Sequence, residues 1–276
     1  MKLVVESGAT KSTWVILDDD KVLNRQILSG INPTANPESL SEIEAYSNRY
    51  SSSVNEVFFY GAGVSSGTAH SNLNRALRKH FKTAQVEIAS DMLAAARSVS
   101  DGQVSIVSIL GTGMNSVIFD GKVIIDSHRS LGYLFGDYGS GFYIGKLLLQ
   151  SYYRDKMEKD DAMLFENLYV KSRDDLIYRI YNAPKPNYEV AQLSRFLTKC
   201  SKGLKQSILH TAFSDFFVNE ILTFDNHESY PLNFVGSISE IFEQELKTTA
   251  DKYCLQVDHV VGNPIEGLLA YHRKKK

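Results

Sequence analysis

The sequence predicts an α/β protein of two lobes, each with a mixed sheet that contains a β-meander and is flanked by helices. Three observations predict it. A pattern of strand, small-residue turn, strand, polar turn, strand occurs twice, once from Leu3 and again from Val104. Short apolar runs then alternate with segments of helical spacing, as in a sheet with parallel members and right-handed crossovers. A chain of 276 residues is long enough to divide into two such lobes. The expected lobes are residues 1–105 joined by a returning 265–276, and residues 106–264.

The first meander runs through apolar Leu3–Glu6, the turn Ser7–Lys11, apolar Thr13–Leu17, the turn Asp18-Asp19-Asp20 and Val22–Leu28. A helix is expected over Leu40–Tyr50 and a buried strand over Val54–Tyr60. The loop Gly61-Ala62-Gly63 follows, then a helix over Ser71–Phe81 and a strand over Val86–Ala89. Ser90-Asp91 caps the helix Leu93–Val99. The second meander is Val104–Leu110, Gly111-Thr112-Gly113, Asn115–Phe119, Asp120-Gly121 and Val123–Ile125; Asp-Gly between β-branched runs is a strong hairpin signal. Helical spacing covers Phe142–Lys156, Ala162–Tyr169, Arg173–Tyr181, Glu189–Ser201 and Gly203–Leu222, interrupted by a surface connection at Ala183–Pro186. The chain closes with the strand Leu232–Val235, the turn Gly236-Ser237, a helix over Ile238–Tyr253, the strand Val257–Val261 and a helix over Ile265–His272.

Composition removes several classes. Lys and Arg number 30 against 32 Asp and Glu, so the net charge of −2 offers no basic field for nucleic acid. The basic run Arg273–Lys276 reads as a solvated tail. No apolar run reaches the length of a membrane span, and Met1–Val5 runs straight into Glu6 rather than into a secretory leader. Two cysteines, Cys200 and Cys254, make neither a disulfide framework nor a CxxC knuckle, so a reducing, cytoplasmic setting is expected. Both fall in segments read as helical. The seven histidines show no metal-ligand spacing, and Trp14, Tyr152-Tyr153 and Phe216-Phe217 read as core.

Three loops and two carboxylates carry chemistry. Loops rich in Gly and Thr after a strand let backbone N–H groups approach an anion, because no Cβ stands in the way. Ser7–Ser12 adds the cation Lys11 and the hydroxyls of Ser7, Thr10 and Ser12; Gly111–Gly113 and Gly236-Ser237 are the other two. Taken singly, each is also ordinary turn chemistry. Gly141–Lys146 is not a P-loop, since its glycine spacing is wrong and no Ser or Thr follows the lysine.

Jointly, the stretches Ser90-Asp91-Met92-Leu93-Ala94-Ala95, Leu110–Ser116 (LGTGMNS) and Leu131–Gly141 (LGYLFGDYGSG) resemble the N-acetylglucosamine kinase branch of the actin-like ATPase and sugar kinase superfamily. That branch also holds the activator ATPases of benzoyl-CoA reductase type. The resemblance runs from Leu3 to Ala270 and implies a two-lobed, ribonuclease H-like fold with a nucleotide cleft between the lobes. It implies ATP as co-substrate, with Ser7, Gly8, Thr10, Lys11, Ser12, Gly111 and Thr112 at the phosphates and Gly236 and Ser237 at the adenosine. Asp91 matches the aspartate that takes the proton of the sugar 6-hydroxyl; as a residue it is equally a helix-capping Asp. Asp137, Gly136 and Asn32 match residues that bind the sugar, while Thr112, Gly113 and Asn115 match positions that line the junction of sugar and phosphate. N-acetylglucosamine is the first acceptor implied, with glucosamine and N-acetylmuramic acid next. Many relatives are homodimers, which makes a homodimer an assembly consistent with the resemblance.

One departure matters. The family's first loop begins Asp-Gly-Gly, whereas this chain has Glu6-Ser7-Gly8. The carboxylate normally faces Mg²⁺ through water; Glu6 keeps the charge on a longer stem, and Mg²⁺ tolerates this because it retains several waters. Weaker metal or ATP use is expected from Glu6. A sugar sensor without turnover is the alternative that follows. An activator ATPase would need cluster-holding cysteines, which Cys200 and Cys254 do not resemble.

Overall fold

The computed structural model describes residues 1–8, 11–34, 36–46, 51–64, 67–170 and 172–274, with the side chains of 45 and 274 excepted. The chain divides into two units: Met1–Asp101 with Gly121–Val123 and Pro264–Lys276, and Gly102–Asp120 with Ile124–Asn263.

In unit 1, β1 (Lys2–Ser7), β2 (Lys11–Asp18) and β3 (Lys21–Ser29) form the antiparallel meander. A 3₁₀ turn, Pro37–Leu40, leads into α1 (Ser41–Tyr46). Next come β4 (Glu56–Gly61), α2 (Gly67–His80), β5 (Gln85–Ser90) and α3 (Asp91–Ser98). β4 and β5 extend the sheet in parallel beyond β1, giving the order β3-β2-β1-β4-β5. Strand alternation splits the core into two layers. Leu3, Val5, Trp14 and Ile16 pack with Ile43, Tyr46, Leu73 and Leu77 on one face. Val4, Val15 and Leu17 pack on the other with Ala94 and with Ile265, Leu268 and Leu269 of the C-terminal helix, Ile265–Lys274. That helix approaches α3 so closely that a Cβ on Gly267 would lie 1.9 Å from the Ser98 carbonyl oxygen.

Unit 2 repeats the strand order. β6 (Ser105–Leu110), β7 (Met114–Phe119) and β8 (Ile124–Ser127) make the second meander, and two later strands, β9 (Leu232–Val235) and β10 (Val257–Val261), add in parallel. The order is β10-β9-β6-β7-β8, so both sheets are mixed and five-stranded. Between β8 and β9 lie α4 (Gly132–Phe135), α5 (Gly141–Tyr153), α6 (Lys159–Tyr169), α7 (Arg173–Tyr181), α8 (Pro186–Leu193) and α9 (Lys202–Asn219). α10 (Ser237–Ile241) and α11 (Glu243–Asp251) join β9 to β10. The core gathers Ile106, Ile144, Leu148, Phe213, Phe216 and Phe234 from strands and helices alike.

Both meanders, the parallel strands and the α/β class match expectation. Several boundaries do not. The expected helix Leu40–Tyr50 starts as a 3₁₀ turn, and residues 47–50 lie outside the described residues. Pro186, expected in a loop, opens α8, where its missing N–H costs nothing. The expected helix Glu189–Ser201 gives way to a 3₁₀ turn over Ser194–Thr198, and Ile238–Tyr253 is broken at Phe242, whose backbone leaves the helical region at φ −116°, ψ 31°. Cys200 and Cys254 sit in turns after helical segments rather than within helices, Cys254 at φ 57°. Among the described residues, no helix is long and apolar enough to cross a membrane.

Candidate active site

The parallel strands β1, β4 and β5 end in one row, with Ser7 paired to Gly61 and Gly61 to Ser90. Ligands of such sheets bind at these carboxyl ends. Ser90 is the N-cap of α3, its Oγ accepting from Leu93 N–H at 3.2 Å. Asp91 is therefore the first helical residue, and its Oδ1 accepts from Met92 N–H at 2.9 Å. Burial raises the Asp91 carboxyl above the ordinary range, and the N–H groups of Met92 and of Asp91 itself pull it back.

Glu6 shares the Val4 face of β1, the face that α3 covers. Burial pushes its carboxyl up to about 7, the Asp91 charge adds to the rise, and Lys11 opposes it. The fold thus brings Glu6 into electrostatic range of both Asp91 and Lys11. Ser7 points the other way: its Oγ accepts from Ile31 N–H at 2.7 Å and donates to the Ile31 carbonyl at 3.1 Å. Those two bonds fix the segment carrying Asn32, whose side chain lies over Gly63; a Cβ there would stand 2.2 Å from Asn32 Oδ1. Gly8 N–H donates to the Lys11 carbonyl at 3.0 Å and closes the hairpin. Ser12 Oγ is committed to the fold, donating to the Ser29 carbonyl at 2.7 Å and accepting from Trp14 Nε1 at 2.8 Å. Thr10 lies outside the described residues.

In unit 2 the Gly111–Gly113 turn is tied to the start of α5. Gly141 N–H donates to the Gly111 carbonyl at 2.8 Å, Phe142 N–H to the Thr112 carbonyl at 3.1 Å, and Ser140 Oγ caps Tyr143 N–H at 3.2 Å. Gly111, Thr112, Gly141, Arg195, Ser237 and Phe242 line one small hollow, which joins the second loop to the third. Gly236 holds φ 132° with its N–H on the Val261 carbonyl, and a Cβ would meet the Leu110 carbonyl oxygen at 2.3 Å; only glycine fits.

Asp137 is bent into the left-handed region at φ 55° between buried Gly136 and Gly139. Its carboxylate lies over the second loop, so close that a Cβ on Gly113 would be 2.7 Å from Oδ2. Burial raises the Asp137 carboxyl, with the Met114 N–H pulling it down. Asn115 lines a hollow with Asp137, together with His128, Arg129, Ser130 and Glu220, none of which stands in a motif of the sequence. A lone His and a Glu in a helical run carry no motif; only folding brings them beside Asp137.

Among the described residues, no group of three or more His, Cys, Asp or Glu could hold a metal ion by itself. The Glu6–Asp91 pair does suit a divalent cation that keeps waters and phosphate oxygens as its other ligands, because two desolvated carboxylates lack a full countercharge there. Cys200 is half-buried, its thiol pushed up to about 11 chiefly by burial, and Cys254 is exposed. Neither lines the loops.

No family model matches the chain, and no curated relative matches it in sequence. Solved structures do. A candidate N-acetylglucosamine kinase from Porphyromonas gingivalis is 34% identical, covering 99% of this chain and 99% of its own, with a TM-score of 0.91. A second candidate N-acetylglucosamine kinase, from Chromobacterium violaceum, is 16% identical over 98% of each chain with a TM-score of 0.70. A ROK family glucokinase from Streptomyces griseus, solved with glucose and AMPPNP, is 15% identical over 98% of this chain and 97% of its own, at 0.59. The latter two share the fold. Two meander-based mixed sheets with their loops define a protein of the actin-like ATPase and sugar kinase superfamily. Within it, the chain belongs to the N-acetylglucosamine kinase family.

Proposed function

We propose that the chain is an ATP- and Mg²⁺-dependent sugar kinase that phosphorylates the 6-hydroxyl of an amino sugar, N-acetylglucosamine first. The observation that carries this reading is Asp91: a half-buried carboxylate at the carboxyl end of the parallel strands, within electrostatic range of Glu6, which in turn is within range of Lys11. A base beside a phosphate loop is what transfer from ATP to an alcohol requires.

Asp91 would accept the hydroxyl proton as the oxygen attacks the γ-phosphorus. Its raised basicity favours that transfer, while the Met92 N–H keeps one carboxylate oxygen turned toward the helix. Asn32 and Asp137 would orient the sugar, one from the Ile31 segment and the other above Gly113. Gly8 and Gly111 N–H close their own hairpins, so the backbone N–H groups of Thr112 and Gly113, with Lys11, would hold phosphate oxygens, and Gly236-Ser237 would support the adenosine. Mg²⁺, when bound, would neutralise phosphate charge, with Glu6 its outer ligand through water. The proposed lobes are residues 1–105 with 265–276 and residues 106–264, in a protein of the cytoplasm.

A coupled assay of ADP release across N-acetylglucosamine, glucosamine and N-acetylmuramic acid tests the reading. Sugar-dependent ADP is expected with at least one. The raised Glu6 carboxyl favours one other reading, a sensor that binds sugar without turnover. Sugar binding without ADP would establish the sensor instead.

A further inference from the structure

The hollow beside Asp137 holds a second carboxylate with no role in the mechanism above. Glu220 follows the last residue of α9, and its side chain is 15% exposed. Its Oε2 lies 3.7 Å from His128 Nδ1, and the His128 ring stacks on buried Phe224 at 4.0 Å with 13° between planes. Stacking covers one face of the imidazole, and the imidazole stands beside the carboxylate. Glu220, Asp137, Asn115 and Arg129 line the same hollow. Burial raises the Glu220 carboxyl, His128 lowers it, and the Asp137 charge raises it again. The two carboxylates therefore act on each other across the hollow.

A purely structural His–Glu contact gains nothing from that neighbour. Desolvating two like charges together is unfavourable, and donors from a ligand would relieve it. Hydroxyl and amide N–H groups on a sugar ring are such donors, and each bond to a carboxylate is charge-assisted. Arg129 is exposed, so its charge is screened, whereas both carboxylates lie in lower dielectric.

Resting on the sugar-kinase reading, we propose that Glu220, held by His128, is a specificity-determining residue that accepts hydrogen bonds from the sugar. Together with Asp137 it favours a neutral amino sugar over one carrying an acidic substituent. His128 is a positioning residue that acts through Glu220.

The test compares steady-state kinetics on N-acetylglucosamine and on N-acetylmuramic acid, whose lactyl group is acidic, for the wild type and Glu220→Gln. The substitution keeps the side-chain volume and removes the charge. The sugar KM is expected to rise about tenfold, the scale of a lost charge-assisted bond, with kcat within about twofold and the ATP KM unchanged. The preference for N-acetylglucosamine over N-acetylmuramic acid should shrink by a similar factor. His128→Asn should raise the sugar KM in the wild type and add little in the Glu220→Gln background. An unchanged sugar KM and unchanged preference in Glu220→Gln overturn the proposal. If the chain turns over no sugar, the kinase reading fails, and calorimetric titration with N-acetylglucosamine still decides this one. Weaker binding by Glu220→Gln upholds it, equal binding overturns it, and no binding by the wild type overturns both.

Discussion

At Glu6, strand alternation sets the chemistry: the side chain falls on the face covered by α3 and so meets Asp91 in a desolvated place. A carboxyl whose native pKa of about 7 stands above its ordinary 4.5 carries an extra proton in the fold between those values. Native stability from this group is therefore greatest below the unfolded pKa and falls as pH rises through 7. Glu6→Gln removes the titration. Its unfolding free energy is expected to match the wild type near pH 4 and exceed it at pH 8 by up to about 3 kcal/mol, read as a higher melting temperature at pH 8 alone. Equal melting curves at both values would mean that Glu6 is solvated. Asp91 gives the companion prediction. In the proposed role of base it would be worth about 10²–10⁴ in rate, so Asp91→Asn should abolish most ADP release while sugar affinity stays within about fivefold. Full activity in that variant would reduce Asp91 to a helix-opening residue.

Helix ends and turns, rather than whole elements, do the positioning. Ser7 is a departure from the family's glycine at the end of β1, and its hydroxyl bonds both backbone groups of Ile31 beside Asn32. The second loop is held by the first turn of α5 and lies under Asp137. Gly113 has no positive φ, so Gly113→Ala adds no backbone strain but drives a methyl to within 2.7 Å of Asp137 Oδ2. The carboxylate must move. If Asp137 orients the sugar as proposed, sugar kcat/KM should fall about tenfold or more, since displacement of an orienting group is costly, while the melting temperature changes little. Sugar titration of the variant by calorimetry checks it, and wild-type affinity would show that Asp137 does not touch the sugar. These loops were legible in the sequence because glycine and hydroxyl residues cluster after apolar runs. The breaks at Phe242 and Ser194 were not, because apolar spacing continues across them and only packing bends the backbone. His128 and Glu220 were hidden for another reason: they are joined by tertiary packing alone.

On the scale of the whole molecule, the two sheets share one strand order, which the repeated meander in the sequence foreshadows. The more consequential feature is that unit 1 is completed by the end of the chain. Leu268 and Leu269 are fully buried, Ile265 nearly so, against Val4, Val15 and Leu17. His272 adds a buried hydrogen bond to Tyr60 OH at 2.8 Å, stacks on Phe58 at 3.9 Å and offers its carbonyl to Lys2 Nζ at 2.9 Å. Tyr60 OH in turn accepts from Arg97 of α3 at 2.7 Å. Three buried aliphatic side chains contribute roughly 5–9 kcal/mol by transfer free energy, comparable with the whole stability of a typical domain. Removing residues 265–276 should therefore unfold unit 1 selectively, because the sheet loses the cover of one face while the unit 2 core keeps all its members. Hydrogen exchange on the truncated chain is expected to show amides of β1, β2 and β4 unprotected and those of β6, β7 and β9 still slow. Native protection in β1 and β4 after truncation would show that α3 alone seals that face, and the same result would detach the C-terminal helix from the placement of Glu6 and Asp91.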